Sequence, residues 1–358
     1  MPILNVRNVH DALPKALVLM ITEGIRKPSR NGEVCVHPHP VTTLYERPCE
    51  RVLFWAERDA NPFFHFIEGL WMLNGNEDVS IPAYYASQIK NYSDDGATLA
   101  GAYGHRWRIA FDYDQINWII ESFKVDPNDR RVVLAMWDPN YDIWQKKERN
   151  SKDIPCNTHA YFRIETINDL PKLCMQVNCR SNDILWGAYG ANAVHFSMLQ
   201  EYLARSIGVG VGWMAQNSFN WHMYIDFWEK MFARPANEEG RGLLENMENP
   251  IGWNPYKRLL NCNISPTPMI DSYDDLDAWN EKLGGFIGDN IEEHLSTLKT
   301  SNGWFGAVAI PIRDAYQAYK EKNYDEANRI IQDCQATDWR LACQEWLQRR
   351  RVQRENKE

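Results

Sequence analysis

The chain has 358 residues, of which 44% are hydrophobic and 24% charged, and its formal net charge is −9. This composition is typical of one large globular domain or two smaller ones, and the negative charge argues against a general nucleic-acid surface. No apolar run approaches the roughly 18 residues of a membrane span, and no signal peptide is evident. The eight cysteines form no CxxC pair and no zinc-type spacing with histidine. We therefore expect free thiols, no metal site and a reducing cytoplasm.

The first half of the chain alternates predicted helices with polar connections. An amphipathic helix is predicted over residues 11–26, and a buried helix over 62–74 that Gly75 closes. A polar, turn-rich stretch extends to about residue 102, and residues 114–124 have a helical pattern. The turn DPNDRR then leads into the strand VVLAMW.

The second half begins with strands and ends with helices. After a charged loop (144–153), AYFRIE and KLCMQVNCR alternate as half-buried strands, and ANAVHFSMLQEYLARSIG is a strong helix with Asn192 as a candidate N-cap. The segment GVGWMAQNSFNWHMYIDFWEKMF has the pattern of a strand, a loop and a helix. From about residue 275 the chain is mainly helical and has a basic end that we interpret as solvated. The pattern predicts a mixed α/β (α+β) core, residues 1–275, with a helical C-terminal extension, residues 276–358.

Cys156 follows Pro155 at the point where a strand is expected to begin. A free cysteine is most often a buried core residue, and a nucleophilic one needs a base or cations that lower its pKa. The sequence offers arginines for that purpose, which also bind phosphate in a bidentate way: Arg30, Arg130, Arg131 and Arg180. Surface solvation explains each arginine taken alone, but two adjacent arginines at the entry to a strand point to opposite faces.

Three further side chains are candidates for acid–base or sugar-binding work. Glu68 lies in an otherwise apolar predicted helix, where an unpaired charge is expensive to bury. A pKa raised by burial would suit acid–base catalysis, whereas exposure at the helix edge is the alternative. His222 and Tyr224 stand two residues apart in a strand-like stretch, so both face one side and suit a sugar hydroxyl. A hydrogen-bonded core pair has the same spacing.

Taken together, these motifs resemble the thymidylate synthase family from about residue 20 to about residue 270. Their order is Arg30, Glu68, AGAYGHRWR, DRR, PC, CRSND, a Gly-to-Asn segment and NWHMY, and none of them is specific alone. The resemblance implies a twisted mixed β-sheet packed by helices and a homodimer formed through the sheet. It also implies a pyrimidine nucleoside monophosphate as substrate and 5,10-methylenetetrahydrofolate as one-carbon donor.

The resemblance implies a role for each motif residue. Cys156 would attack C6 of the pyrimidine as a thiolate, and the arginines would favour that thiolate. Proton and water transfers would fall to Glu68 and Tyr103, with Asp183 and Asn192 completing the catalytic group. The binding roles are phosphate binding by Arg30, Arg180, Ser181 and, from a partner subunit, Arg130 and Arg131; ribose binding by His222 and Tyr224; base binding by Asp183 and Asn192; and folate binding by Trp71 and Asp183.

The base preference depends on Asn192. Its amide accepts from uracil N3–H and donates to O4, whereas an aspartate would suit cytosine. A mismatched base would leave buried polar groups unpaired at about 1–3 kcal/mol each, so dUMP is favoured. The segment GAYGANAV has one residue more than the family's usual spacing before Asn192, and Asn157 stands where many members have histidine.

Two departures bear on the fate of the transferred carbon. No tryptophan lies between Trp71 and Trp107, where methyl-forming members shield the methylene from water, and the family's apolar C-terminal tail has no counterpart. The residues present instead are Tyr84, Tyr85, Gln88, Asn91 and Tyr92. Because water exclusion decides between hydride and water addition, we expect a deoxyuridylate hydroxymethylase similar to phage enzymes. Thymidylate synthesis, dCMP or CMP hydroxymethylation, and non-catalytic nucleotide binding stay open as alternatives.

Overall fold

The computed structural model describes most of the chain. The described residues are 1–144, 147–148, 151–232, 247, 254–257, 264–270, 275–288, 291–300 and 303–356. Cys262 and part of the predicted loop 144–153 lie outside them. None of the described helices is long and apolar enough to cross a membrane.

One eight-stranded mixed sheet organises the molecule. Its strands are β1 (Ile3–Val6), β2 (Ile25–Ser29), β3 (Gly32–Val36), β4 (Val41–Tyr45), β5 (Val133–Ala135), β6 (Asn157–Ile167), β7 (Leu170–Asp183) and β8 (Gly210–Tyr224). The order across the sheet is β1-β4-β8-β7-β6-β5, and the β2–β3 hairpin joins the far end of β8 through β3. The β1–β4 and β7–β8 pairs are parallel and the others are antiparallel. The predicted twisted mixed sheet is confirmed.

Helices pack against this sheet and then form the C-terminal extension. Those of the first part are α1 (Val9–Glu23), α2 (Pro62–Leu73), α3 (Ser80–Tyr85), α4 (Tyr103–Arg108), α5 (Gln115–Val125), α6 (Pro139–Trp144), α7 (Asn192–Ile207) and α8 (Ile225–Phe232). Those of the extension are α9 (Leu276–Ile287), α10 (Ile291–Thr300), α11 (Ile310–Lys320), α12 (Tyr324–Ile331) and α13 (Thr337–Glu355). The helices predicted for the first part are confirmed within a few residues, whereas α3 lies in a stretch that the sequence pattern left as turns.

Helix α2 shows clear start and stop signals. The side chain of Asn61 accepts a hydrogen bond from the Phe64 N–H at 3.2 Å, and Pro62 occupies the first turn, where no donor is needed. The helix ends before Gly75, whose φ of 76° lies in the left-handed region. These signals fix the position of every side chain that α2 carries, including Glu68.

Two predictions about local structure are wrong. Residues 210–224 form one continuous strand rather than a strand and a loop, because β8 is hydrogen-bonded to β7 on one side and to β4 and β3 on the other. Asn192 is not an N-cap. Tyr189 and Gly190 have non-helical backbone angles, but Ala191 (φ −54°, ψ −51°) and Asn192 (φ −62°, ψ −39°) are already helical, so the helix starts before residue 192.

The C-terminal helices complete the core around α2. Phe66 of α2 contacts Trp304 and Trp339, with ring centroids 5.6 and 5.1 Å apart, and Phe63 contacts Trp346 at 5.5 Å. Such aromatic pairs add about 0.5–1.5 kcal/mol each beyond the area they bury. Helix α2 therefore lies between α7 and the extension.

The extension also supports α3. The Tyr316 hydroxyl of α11 donates to the carbonyl of Tyr85 at 3.0 Å, and the Tyr84 hydroxyl donates to Gln317 at 2.5 Å. Next to α2, the carboxylate of Asp59 pairs with the consecutive arginines 349 and 350 of α13. The segment around Tyr84 and Tyr85 stands where methyl-forming members of the family have tryptophans, and contacts with the extension hold it in place.

Candidate active site

Cys156 lies immediately before β6, with its side chain partly exposed. The hydroxyl of Tyr103, the first residue of α4, accepts hydrogen bonds from the backbone N–H groups of Cys156 and Asn157, both at 3.1 Å. From the neighbouring β7, the backbone N–H of Arg180 donates to the Cys156 carbonyl at 2.8 Å. These contacts fix the backbone on both sides of the thiol.

The guanidinium of Arg180 is partly engaged by the segment before Cys156. Its Nε donates to the Pro155 carbonyl and its Nη2 to the Ile154 carbonyl, both at 2.8 Å. Arg180 remains exposed, and a guanidinium has five N–H donors, so others are left for an anion. Arg180 therefore both holds the cysteine segment and offers charge at its surface.

Opposing effects act on the thiol of Cys156. Burial raises its pKa above the ordinary 9.0, and the charge of Asp153 adds to this, while Arg180 and Arg30 lower it. The arginines thus act in the predicted direction. In the single chain, burial has the larger effect, so the pKa of the Cys156 thiol lies above its ordinary value. Burial likewise raises the pKa of Asp153 to about 6.

A chain of side-chain amides continues from Cys156 into the core. The Nδ2 of Asn157 donates to the Oδ1 of Asn192 at 3.3 Å, the Nδ2 of Asn192 donates to the Oδ1 of Asn182 at 3.0 Å, and Asn182 donates to the Ser218 hydroxyl at 2.9 Å. This leaves Asn192 one N–H and one lone pair, the combination that uracil requires. The sequence reasoning missed Asn182, although it stands inside the motif CRSND.

Glu68 is buried, with 7% of its surface exposed, so the helix-edge alternative is excluded. Its Oε2 lies 2.8 Å from Nε2 of His195 on α7, which is itself 2% exposed. The ring of a second buried histidine, His65, lies one turn away on α2, and burial together with the charges of Arg58 and His195 lowers its pKa well below the ordinary 6.5. His195 was not singled out from the sequence, because a histidine in a helix with an apolar side is more often a core residue.

The ends of β7 and β8 bring Asp183 next to the predicted ribose-binding pair. Asp183 and His222 are partners across the two strands, and the rings of His222 and Tyr224 are 5.5 Å apart. The Oδ1 of Asp183 accepts hydrogen bonds from the Leu185 and Trp186 N–H groups at 2.8 and 2.6 Å. Its Oδ2 is buried and has no hydrogen-bond partner among the described residues. Burial raises the pKa of Asp183, while His222 lowers it.

The remaining predicted phosphate ligands stand on different elements of the chain. Arg30 is exposed in the turn between β2 and β3, and Ser181 is half-buried on β7. Arg130 and Arg131 are exposed before β5, where Arg131 pairs with Asp129 at 2.9 Å. That these two arginines bind the phosphate in a partner subunit's site stays a prediction.

Trp71 is buried in the core rather than on an open surface. Its indole N–H donates to the Asp78 carbonyl at 3.0 Å, and only 1% of its surface is exposed. The structure therefore does not bring Trp71 to the site surface. Among the described residues, no group of three or more His, Cys, Asp or Glu side chains could hold a metal ion.

This fold places a cysteine at the start of a strand, side-chain amides next to it and a buried carboxylate on α2, which is compatible with the family that the sequence motifs resemble. Sequence comparison agrees, because the family model described as thymidylate synthase matches residues 20–244. The chain belongs to the thymidylate synthase family.

Individual relatives share different parts of the chain. It is 43% identical over 356 residues to the deoxyuridylate hydroxymethyltransferase of Pseudomonas phage M6, covering 98% of this chain and 95% of the relative. It is 29% identical over 285 residues to that of Bacillus phage SP01, covering 77% and 66%. A putative thymidylate synthase of Methanocaldococcus jannaschii is 34% identical over 113 residues, which are 32% of this chain and 48% of the relative.

Proposed function

We propose that this enzyme converts dUMP to 5-hydroxymethyl-dUMP, with 5,10-methylenetetrahydrofolate as one-carbon donor. The observation that carries the proposal is the link from Cys156 to Asn192 through the side chain of Asn157, which adjoins the cysteine. It joins a nucleophile to an amide that selects uracil. The near-full-length similarity to a phage deoxyuridylate hydroxymethyltransferase supports the same substrate.

The nucleotide is recognised at both ends. Asn192 accepts from N3–H and donates to O4 of uracil, which cytosine would offer in reverse. Arg180, Arg30 and Ser181 bind the 5′-phosphate, and His222 with Tyr224 binds the ribose 3′-hydroxyl. The bonds from Arg180 to the Pro155 and Ile154 carbonyls orient its guanidinium, and the remaining N–H donors can bind the phosphate.

Covalent attack then activates the base. The Cys156 thiolate bonds to C6, and the electron pair of the C5–C6 bond makes C5 a nucleophile. C5 bonds to the donor's methylene carbon, loses its proton, and tetrahydrofolate leaves, so that an exocyclic methylene remains on the nucleotide. Addition of water and loss of the thiolate from C6 complete the reaction.

The chain contains a group suited to the folate. The Oδ2 of Asp183 is buried without a partner, and a pterin N–H donor is the type of group that would satisfy such an oxygen. Asp183 would orient the donor, which supplies the carbon at the oxidation level of formaldehyde.

Water rather than hydride is the proposed second reactant. The sequence has no tryptophan between Trp71 and Trp107 to shield the methylene, and Tyr84 directs its hydroxyl to Gln317 of the extension. The buried carboxylate of Glu68 can take the proton that an attacking water must lose.

We also propose a homodimer through the sheet, supported by exposed aromatic residues on β6 and β8: Tyr161 and Phe219, the latter 73% exposed. Arg130 and Arg131 would reach the partner's phosphate site.

The test is product analysis with each candidate nucleotide. The purified enzyme is incubated with 5,10-methylenetetrahydrofolate and dUMP, dCMP or CMP, and the nucleotide product is identified by mass spectrometry, with Cys156→Ser as the blank. We expect a hydroxymethyl group on dUMP. Turnover of dCMP alone would contradict the role of Asn192, and no product from any nucleotide would favour a binding protein.

A further inference from the structure

Glu68 has a buried histidine, His195, as its neighbour on α7. Its Oε2 is fully buried and lies 2.8 Å from Nε2 of His195, which leaves Oε1 as the oxygen for a water or substrate. His195 is three residues after Asn192 on α7, so the two side chains lie on the same side of that helix. His195 therefore lies about one helical turn from Asn192, the amide proposed to bind the base.

The imidazole of His195 is available to Glu68. Neither ring nitrogen makes an aligned hydrogen bond within the described part of the chain, although Nε2 is within bonding distance of the carboxylate. In unliganded enzymes, catalytic hydrogen bonds are often poorly aligned and tighten only when substrate binds. A 2%-exposed histidine without an aligned partner is costly unless it serves such a bond.

Contacts connect this pair to the nucleophile. Phe196, the residue after His195, contacts the ring of Tyr103 at 6.0 Å, and the Tyr103 hydroxyl accepts from the Cys156 N–H. Asn192 bonds to Asn157, which adjoins Cys156. His195 is thus connected to the nucleophile through two neighbouring residues of α7, Asn192 and Phe196.

We propose that His195 is a positioning residue that holds Oε2 of Glu68 so that Oε1 activates the water attacking the exocyclic methylene. The inference rests on the proposed function. In this step the water oxygen bonds to the methylene carbon, and its proton passes to Glu68. The π electron pair of the exocyclic double bond moves onto C5 and the adjacent carbonyl, then returns to form the C5=C6 double bond as the Cys156 thiolate leaves C6, and the thiolate recovers a proton.

Two half-reactions separate this role from a structural one. Release of tritium from [5-³H]dUMP reports formation of the exocyclic methylene, and 5-hydroxymethyl-dUMP reports water addition. In the presence of 2-mercaptoethanol, any methylene that waits for water is trapped as a thioether. We expect His195→Leu to lower the hydroxymethyl product per tritium released by about tenfold or more, with a matching rise in thioether.

Two further variants serve as rescue and control. His195→Gln places an N–H donor near the same position and should keep the ratio within about twofold of wild type, whereas His195→Asn is too short to reach and should behave as the leucine. His65→Leu removes a buried histidine of α2 itself, one turn from Glu68, and should not change the ratio. The glutamine–asparagine comparison retains the test if the leucine variant does not fold.

Parallel loss of tritium release and product in His195→Leu, with an unchanged ratio, would overturn the inference while leaving the proposed function intact. An equal ratio in the glutamine and asparagine variants would overturn it as well. If the wild-type enzyme forms a methyl group instead, the proposed function itself fails and takes this inference with it.

Discussion

Gly187 provides a direct test of the amide chain that is proposed to bind the base. A Cβ at this position would lie 2.7 Å from Oδ1 of Asn182 and 3.1 Å from Nδ2 of Asn192. These atoms form the 3.0 Å hydrogen bond that orients Asn192. Because Asn182 is buried and bonded to Ser218, it cannot move aside without breaking a second bond. Gly187→Ala should therefore separate the two amides.

The expected loss of stability follows from the hydrogen bonds that the substitution breaks. A buried polar group left unsatisfied costs about 1–3 kcal/mol, so the free energy of unfolding should fall by that amount. This contrasts with the gain of up to ~1 kcal/mol that Gly→Ala usually gives inside a helix. A rotated Asn192 would also lose its bonds to uracil, and a loss of ~1–3 kcal/mol corresponds to dUMP binding about 5- to 150-fold weaker.

Calorimetric titration with dUMP and chemical denaturation measure both effects. Gly284→Ala is the matched control, because its Cβ in α9 would meet only Asn74, at 3.9 Å. The control should bind dUMP as the wild type does. If Gly187→Ala binds dUMP within about twofold of wild type, the amide chain does not orient the base, and that part of the reasoning is refuted.

Three further predictions concern the nucleophile, a buried carboxyl and the extension. Cys156→Ser should lower kcat by at least ~10³-fold in a product assay while dUMP still binds by calorimetry; substantial residual turnover would refute the role of the thiol. Burial raises the pKa of Asp338 to about 6, above its ordinary 3.8, so the folded state binds the proton more tightly and loses stability as pH rises through that window. Relative to Asp338→Asn, the wild-type free energy of unfolding should fall by ~3 kcal/mol from pH 3.5 to 7, and a constant difference would contradict this. Trp346→Ala, which removes the contact with Phe63, should cost ~3–5 kcal/mol in denaturant titration, whereas an unchanged midpoint would show that α13 does not support α2.

The local parts of the fold were predictable because their signals are local. Helix α2 starts at Asn61-Pro62 and ends before Gly75, and these signals involve only neighbouring residues. In β6 and β7, hydrophobic and polar residues alternate because one side of each strand is buried. Strand β8 was divided incorrectly because its polar residues look like a loop. They are tolerated in a strand because neighbours on both sides satisfy the backbone.

The site was predictable as a set of motifs but not as a set of contacts. Glu68 and His195 are 127 residues apart in sequence, and only the packing of α2 on α7 brings them within 2.8 Å. The hydrogen bond between the side-chain amides of Asn192 and Asn182 likewise depends on how α7 packs against the end of β7. The direction in which the pKa of Cys156 shifts could not be predicted from the nearby arginines, because burial raises it and burial is a property of the folded chain.

The origin of the product's hydroxyl oxygen tests the central claim most directly. The enzyme would be incubated with dUMP and 5,10-methylenetetrahydrofolate in H₂¹⁸O, and the nucleotide and the folate would both be analysed by mass spectrometry. The account predicts 5-hydroxymethyl-dUMP carrying ¹⁸O on the new carbon, with tetrahydrofolate released. A methyl group on the nucleotide with dihydrofolate released would contradict it.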